Sequence, residues 1–177
     1  MTSYMKKIFV TLSLVAVVSA ALFIACSKDN SDGGPTTLKV RMTDAPFNAD
    51  SVNIDIQEVR VNFRNDSSGW MSLSTVAGVY DLLGLQNGVD TLLAVGVIPT
   101  NSVQEIRFVL GSANTIVISG VSYPLTIPSG SESGLKLKIN KQLNGPVDSL
   151  LIDFDAALSI HQTGNGTYML KPVLKIK

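Results

Sequence analysis

From Leu38 to Lys177 the chain alternates apolar and polar residues with period two, and no window of helical length carries a clear 3.6 period. Leu38, Val40 and Met42 alternate with Lys39 and Arg41, and Leu135, Leu137 and Ile139 alternate with Lys136 and Lys138. Tyr168, Leu170, Leu174 and Ile176 extend the pattern to the end of the chain. Each such run is a strand with one face in a core and one in water. Turn signals separate the runs closely: Ser67-Ser68-Gly69, Asn87-Gly88, Ser119-Gly120, Asn144-Gly145-Pro146 and Gly164-Asn165-Gly166. Nine or ten short strands joined this way predict an all-β single domain, an antiparallel β-sandwich of immunoglobulin-like or transthyretin-like type. A closed barrel is the alternative.

Particular segments sharpen the prediction. Val52, Ile54 and Ile56 are apolar at even positions, whereas Val59, Val61 and Phe63 are apolar at odd ones. One extra residue at Gln57-Glu58 restores the phase, as a β-bulge does; two strands with a short break are the other solution. Ser119-Gly120 lies between two runs of β-branched and aromatic residues and reads as a two-residue hairpin turn. Pro124 and Pro172 each remove a ladder donor, which places them at sheet edges or pointing outward. Val79 to Val95 fits either a short helix or strand, turn, strand. The phase puts Ile54, Ile106, Phe108, Leu137, Ile152, Phe154 and Leu174 in the core.

The first 25 residues obey a different rule. Lys6 and Lys7 precede an apolar run from Ile8 to Ala25, and the sole cysteine, Cys26, follows it. Charge, apolar stretch, small residue, cysteine is the order of a lipoprotein signal peptide. Residues 1–25 are therefore expected to be removed and Cys26 lipidated, tying the protein to a membrane. Phe23 stands where such a signal usually has Leu, and an uncleaved anchor is the alternative, since the run just reaches spanning length. Residues 26–37 form a polar, Gly- and Pro-containing tether of at most about 35 Å in reach, and residues 38–177 form the domain. Loss of Lys6 and Lys7 leaves twelve basic against fourteen acidic side chains. That balance gives no electrostatic footprint for nucleic acid. With the only thiol at Cys26, the fold has no disulfide to lean on.

Few residues suggest chemistry. Asp153 and Asp155 share one face of a strand, and Asp44 ends another strand. Together they suit a Ca²⁺ site or the acid and base of a glycoside hydrolase. The structural alternative is a solvated face or pairing with Arg41, Arg60 or Arg107. His161, the sole histidine, has no Gly-x-Ser-x-Gly nucleophile turn to serve, and no HExxH, Cys/His cluster or phosphate loop occurs. Trp70, the sole tryptophan, is suited to the core or to stacking on a sugar or a partner surface.

Several strings carry a resemblance: Val40-Arg41-Met42-Thr43-Asp44-Ala45-Pro46, Val52 to Val59, Gly69-Trp70, Asp81 to Gly88, Gln104 to Arg107, Ser133 to Leu137, and Asp153-Phe154-Asp155-Ala156. Together they resemble the domain-of-unknown-function 4382 family, typical of lipoproteins from Bacteroidota. The resemblance spans nearly all of Leu38 to Lys177 and implies export and a β fold, with no activity attached. Ile98 to Ser102 departs from the Pro-Ala-Gly turn of that pattern. Ser27-Lys28-Asp29 is similar to the signals that send such lipoproteins to the cell surface, although Asn30 interrupts it.

The reading is an outer-membrane lipoprotein, periplasm-facing or surface-exposed, with a non-enzymatic module that binds protein or glycan. It calls for no cofactor, no metal and no nucleic acid. The alternative is a small carboxylate- or metal-dependent hydrolase built on Asp44, Asp153 and Asp155.

Overall fold

Two sheets face each other across one core, and neither closes on itself. The computed structural model describes residues 34–64, 66–128 and 134–177. The expected signal peptide, Cys26 and most of the expected tether lie outside the described residues. Among those described, no helix is long and apolar enough to cross a membrane.

The first sheet is built on β1 (Thr36–Thr43), flanked by β6 (Thr91–Ile98) and β11 (Val147–Phe154). β4 (Ser74–Thr75) and β14 (Leu174–Ile176) complete its edges. The second centres on β2 (Ser51–Asn62), which pairs with β3 (Trp70–Ser72), β5 (Gly78–Asp81), β7 (Ser102–Leu110) and β8 (Thr115–Ile118). β10 (Leu135–Gln142) lies beyond β7, and β9 (Val121–Thr126), β13 (Tyr168–Leu170) and β12 (Ile160–Gln162) lie beyond β8. The all-β sandwich follows from the alternation: Leu38, Val40, Met42, Ile54, Ile106, Phe108, Ile152 and Phe154 all point inward and are buried. Leu137 and Leu174 are partly buried against them.

The expectation of antiparallel pairing throughout needs correction. β1 and β11 run parallel, Thr37 opposite Val147 and Thr43 opposite Asp153, and β13 runs parallel to β9. Alternation sets which face is buried and is blind to strand direction, so this was not legible from the pattern. The run from Tyr168 to Ile176 is also two strands on different sheets. Pro172 falls in the connection between them, where a residue without an N–H costs no ladder bond.

The phase change in β2 is a bulge within one continuous strand, with its register shift between Ile56 and Glu58. Asp55 holds it from beneath. Its N–H donates to Asn114 Oδ1 (2.9 Å), its carboxylate accepts from the Ala113 N–H (3.1 Å) and from Gln57, and its carbonyl accepts from the Gly111 N–H (2.8 Å). Ser119 and Gly120 turn β8 into β9 with φ of 51° and 75°, the paired positive values of a type I′ hairpin. The ambiguous stretch resolves as β5, a 3₁₀ turn at Leu82–Leu85, a turn at Asn87-Gly88, and β6. Asp81 caps that 3₁₀ turn by accepting from the Leu83 N–H at 3.1 Å.

Candidate functional site

Asp44 and Asp153 come within electrostatic reach of each other, and Asp155 precedes the Ala156 amide that Asp44 accepts from. Because Thr43 is opposite Asp153 in the parallel pair, Asp44 leaves β1 beside the end of β11. Its carboxylate accepts from the Ala156 N–H at 2.9 Å and from Gln86 Nε2 at 3.4 Å. Burial pushes its pKa up to about 6, against the pull of the Ala156 hydrogen bond and with a smaller push from the Asp153 charge. Asp155 caps the short helix α1 (Ala156–Ser159), accepting from the Leu158 N–H at 3.1 Å. A hydrogen bond from Lys175 Nζ at 2.8 Å holds its carboxyl below the usual carboxylate range, despite burial. Lys177 Nζ lies 3.1 Å from Asp153 Oδ2.

The arrangement is a clasp. Two lysines on the two sides of Ile176 grip two acids on the two sides of Phe154. Ser159 adds to it: its hydroxyl donates to the Asp155 carbonyl and accepts from the Val173 N–H at 2.8 Å. Pairing was expected from Arg41, Arg60 or Arg107; the partners are Lys175 and Lys177, while Arg41 pairs with Asp90. Asp44, Asp153 and Asp155 are 2%, 5% and 5% exposed, and Asp153 Oδ1 is buried with no hydrogen-bond partner among the described residues. Among the described residues, no group of three or more His, Cys, Asp or Glu side chains is placed to hold a metal ion. His161 is exposed on β12.

Trp70 belongs to neither of its anticipated places alone. It is half-buried on the outer face of the second sheet, opposite Asn62. The buried Asn62 shapes the turn that delivers it: Nδ2 donates to the Asp66 carbonyl and Oδ1 accepts from the Arg64 N–H, both at 2.9 Å. The Gly69 carbonyl accepts from the Phe63 N–H at 3.1 Å and closes the loop. A Cβ on Gly69 would come within 2.3 Å of Asn62 Oδ1 and 2.7 Å of the Arg64 nitrogen. Only glycine lets the chain pass this close, which explains why Gly69 and Trp70 occur together.

Around Trp70 the outer face is cationic. Arg60, Arg107 and Lys136 are direct register partners across β2, β7 and β10, about 4.8 Å apart from strand to strand. The Arg107 guanidinium lies 4.5 Å from the centre of the Trp70 ring and Lys136 Nζ lies 5.6 Å from it. The nearest acid to Arg60 is Glu58, at 3.9 Å. The Nε atoms of Arg60 and Arg107 are buried with no acceptor among the described residues. Lys138 lies two residues along β10, and a depression of about 310 Å³ beyond it is lined by Arg64, Gln104, Glu105, Lys138 and Asn140. Sequence reading missed this row because its members come from three strands. Each alone reads as the polar half of an alternating pattern.

Fold and face together define a β-sandwich domain with a cation-lined, tryptophan-bearing sheet. Residues 35–172 match the family described as Domain of unknown function (DUF4382), and the chain belongs to that family. No curated protein and no solved structure matches it.

Proposed function

We propose that the chain is an exported lipoprotein, held at the outer membrane through an acylated Cys26, whose β-sandwich is a non-enzymatic binding or assembly module. The contact surface is the outer face of β3, β2, β7 and β10, and the ligand is protein or glycan. One observation carries this reading: Arg60, Arg107 and Lys136 stand side by side across three strands beside Trp70. Like charges directly opposite one another destabilise a sheet, and cation–π contact with one ring leaves the net charge in place. A row of this kind is a cost to the fold that an anionic partner offsets. The three acids support the hydrolase alternative less well, being buried and engaged by Lys175, Lys177 and the Ala156 amide.

The test uses the full-length chain as bait against envelope and glycan extracts, beside an Arg107→Gln/Lys136→Gln variant. Retention by the parent and loss by a variant at least as stable is the expected result. Equal retention by both would remove the face from consideration.

A further inference from the structure

We infer that this face takes an acidic polysaccharide, a chain of carboxylate-bearing sugars laid across β3, β2, β7 and β10. The inference rests on the binding-face reading above and names its ligand class. Three features of the face point to a sugar polymer.

The first is the spacing and type of the charges. Arg60, Arg107 and Lys136 repeat at the inter-strand step, and the two guanidinium groups are forks suited to paired carboxylate oxygens. The Arg107 guanidinium stacks on Trp70 at 4.5 Å, which reduces the side-chain freedom lost when it grips an anion.

The second is that the cations are not alone. Glu105 is the register partner of Asn62 and of Lys138, one row from Arg107. With Gln104 and Asn140 it lines the depression of about 310 Å³ that continues the face. A uniformly charged polyanion, such as a phosphodiester chain or an acidic peptide, meets a carboxylate there. A sugar chain presents hydroxyls between its acids, and those hydroxyls donate to Glu105 and to the side-chain carbonyls of Gln104 and Asn140.

The third is Trp70 itself, a half-buried aromatic at the end of the Asn62–Glu105–Lys138 row. Arg107 and Lys136 lie over the ring, and the part of it left exposed is an apolar surface for the C–H groups of a pyranose. The outer face of a sheet also fits a polymer in extended contact better than a small solute, which needs burial for affinity.

The experiment measures binding of the full-length chain in detergent to polygalacturonate, neutral dextran, polyglutamate and phosphatidylglycerol vesicles at matched ionic strength. Polygalacturonate should bind and weaken with added salt, and neutral dextran should not bind. Arg107→Gln/Lys136→Gln should lose roughly ten- to hundred-fold in affinity, with an unfolding temperature no lower than the parent's showing that the fold is intact. Trp70→Leu should also weaken polygalacturonate. Tighter binding of polyglutamate or vesicles than of polygalacturonate overturns the inference, as does equal binding by parent and double variant. Should polygalacturonate fail to bind while the double variant still loses the envelope retention of the parent, the ligand class falls and the binding face stands. Should that retention persist in the variant, both fall.

Discussion

Lys175 and Asp155 are joined at 2.8 Å, and through this pair the last strand of the first sheet is fastened to the cap of α1. The bond sits beside Asp44, whose carboxylate is displaced in the opposite direction. Neighbouring acids of one cluster therefore pull the pH dependence of stability two ways.

Asp44 titrates at about 6 when folded against an ordinary 3.8, so the native state holds its proton more tightly than the unfolded chain. Its contribution is fully present below pH 3.8 and is lost as pH rises through 6. Asp155 is lowered in the fold, so its contribution is present above the ordinary value and lost as pH falls further. Stability should therefore peak near pH 4 and decline as pH rises to about 6. Asp44→Asn should flatten the loss between pH 4 and 7, roughly 1–3 kcal/mol, and Asp155→Asn should flatten the loss below pH 4. Urea unfolding followed across pH checks both.

Gly69→Ala places a methyl group within 2.3 Å of Asn62 Oδ1. The expected cost is about 1–3 kcal/mol, with a shift in emission because Trp70 is the only tryptophan. Unchanged stability and fluorescence would show that the turn accommodates the methyl.

Phe154 closes β11 at 1% exposure. Phe154→Ala should cost about 3–5 kcal/mol, read as a shift of the urea midpoint without a change of slope. A cost below 1 kcal/mol would contradict its burial.

Cys26→Ser should release the domain from the membrane or leave an uncleaved precursor. Palmitate labelling and membrane fractionation check it: normal processing with full membrane association, and no label in the parent, would refute lipidation.

Much of the architecture was legible because it rests on side-chain phase. The break in phase between Ile56 and Val59 located the bulge, and Ser119-Gly120 located the hairpin. The parallel pairing of β1 with β11 was not legible, since alternation carries no arrow. In the cluster, Asp44, Asp153 and Asp155 were found as residues, yet the structural alternatives offered for Asp153 and Asp155 were solvent or an arginine, and both are buried against lysines. Lys175 and Lys177 look like ordinary outward positions of a final strand until β14 is set against β11. Arg60, Arg107 and Lys136 were hidden for the same reason. Adjacency between strands is a property of the fold and not of any one segment.

The parallel β1–β11 pair has a consequence for how the chain is made. Asp44 waits for the amide of Ala156, 112 positions later, and β1 gains its second neighbour only once residues 147–154 exist. Closing so long a loop comes late and slowly. The nascent chain therefore carries an open, half-paired strand at its leading end through most of synthesis, and a stop codon anywhere before β11 would leave that strand open for good.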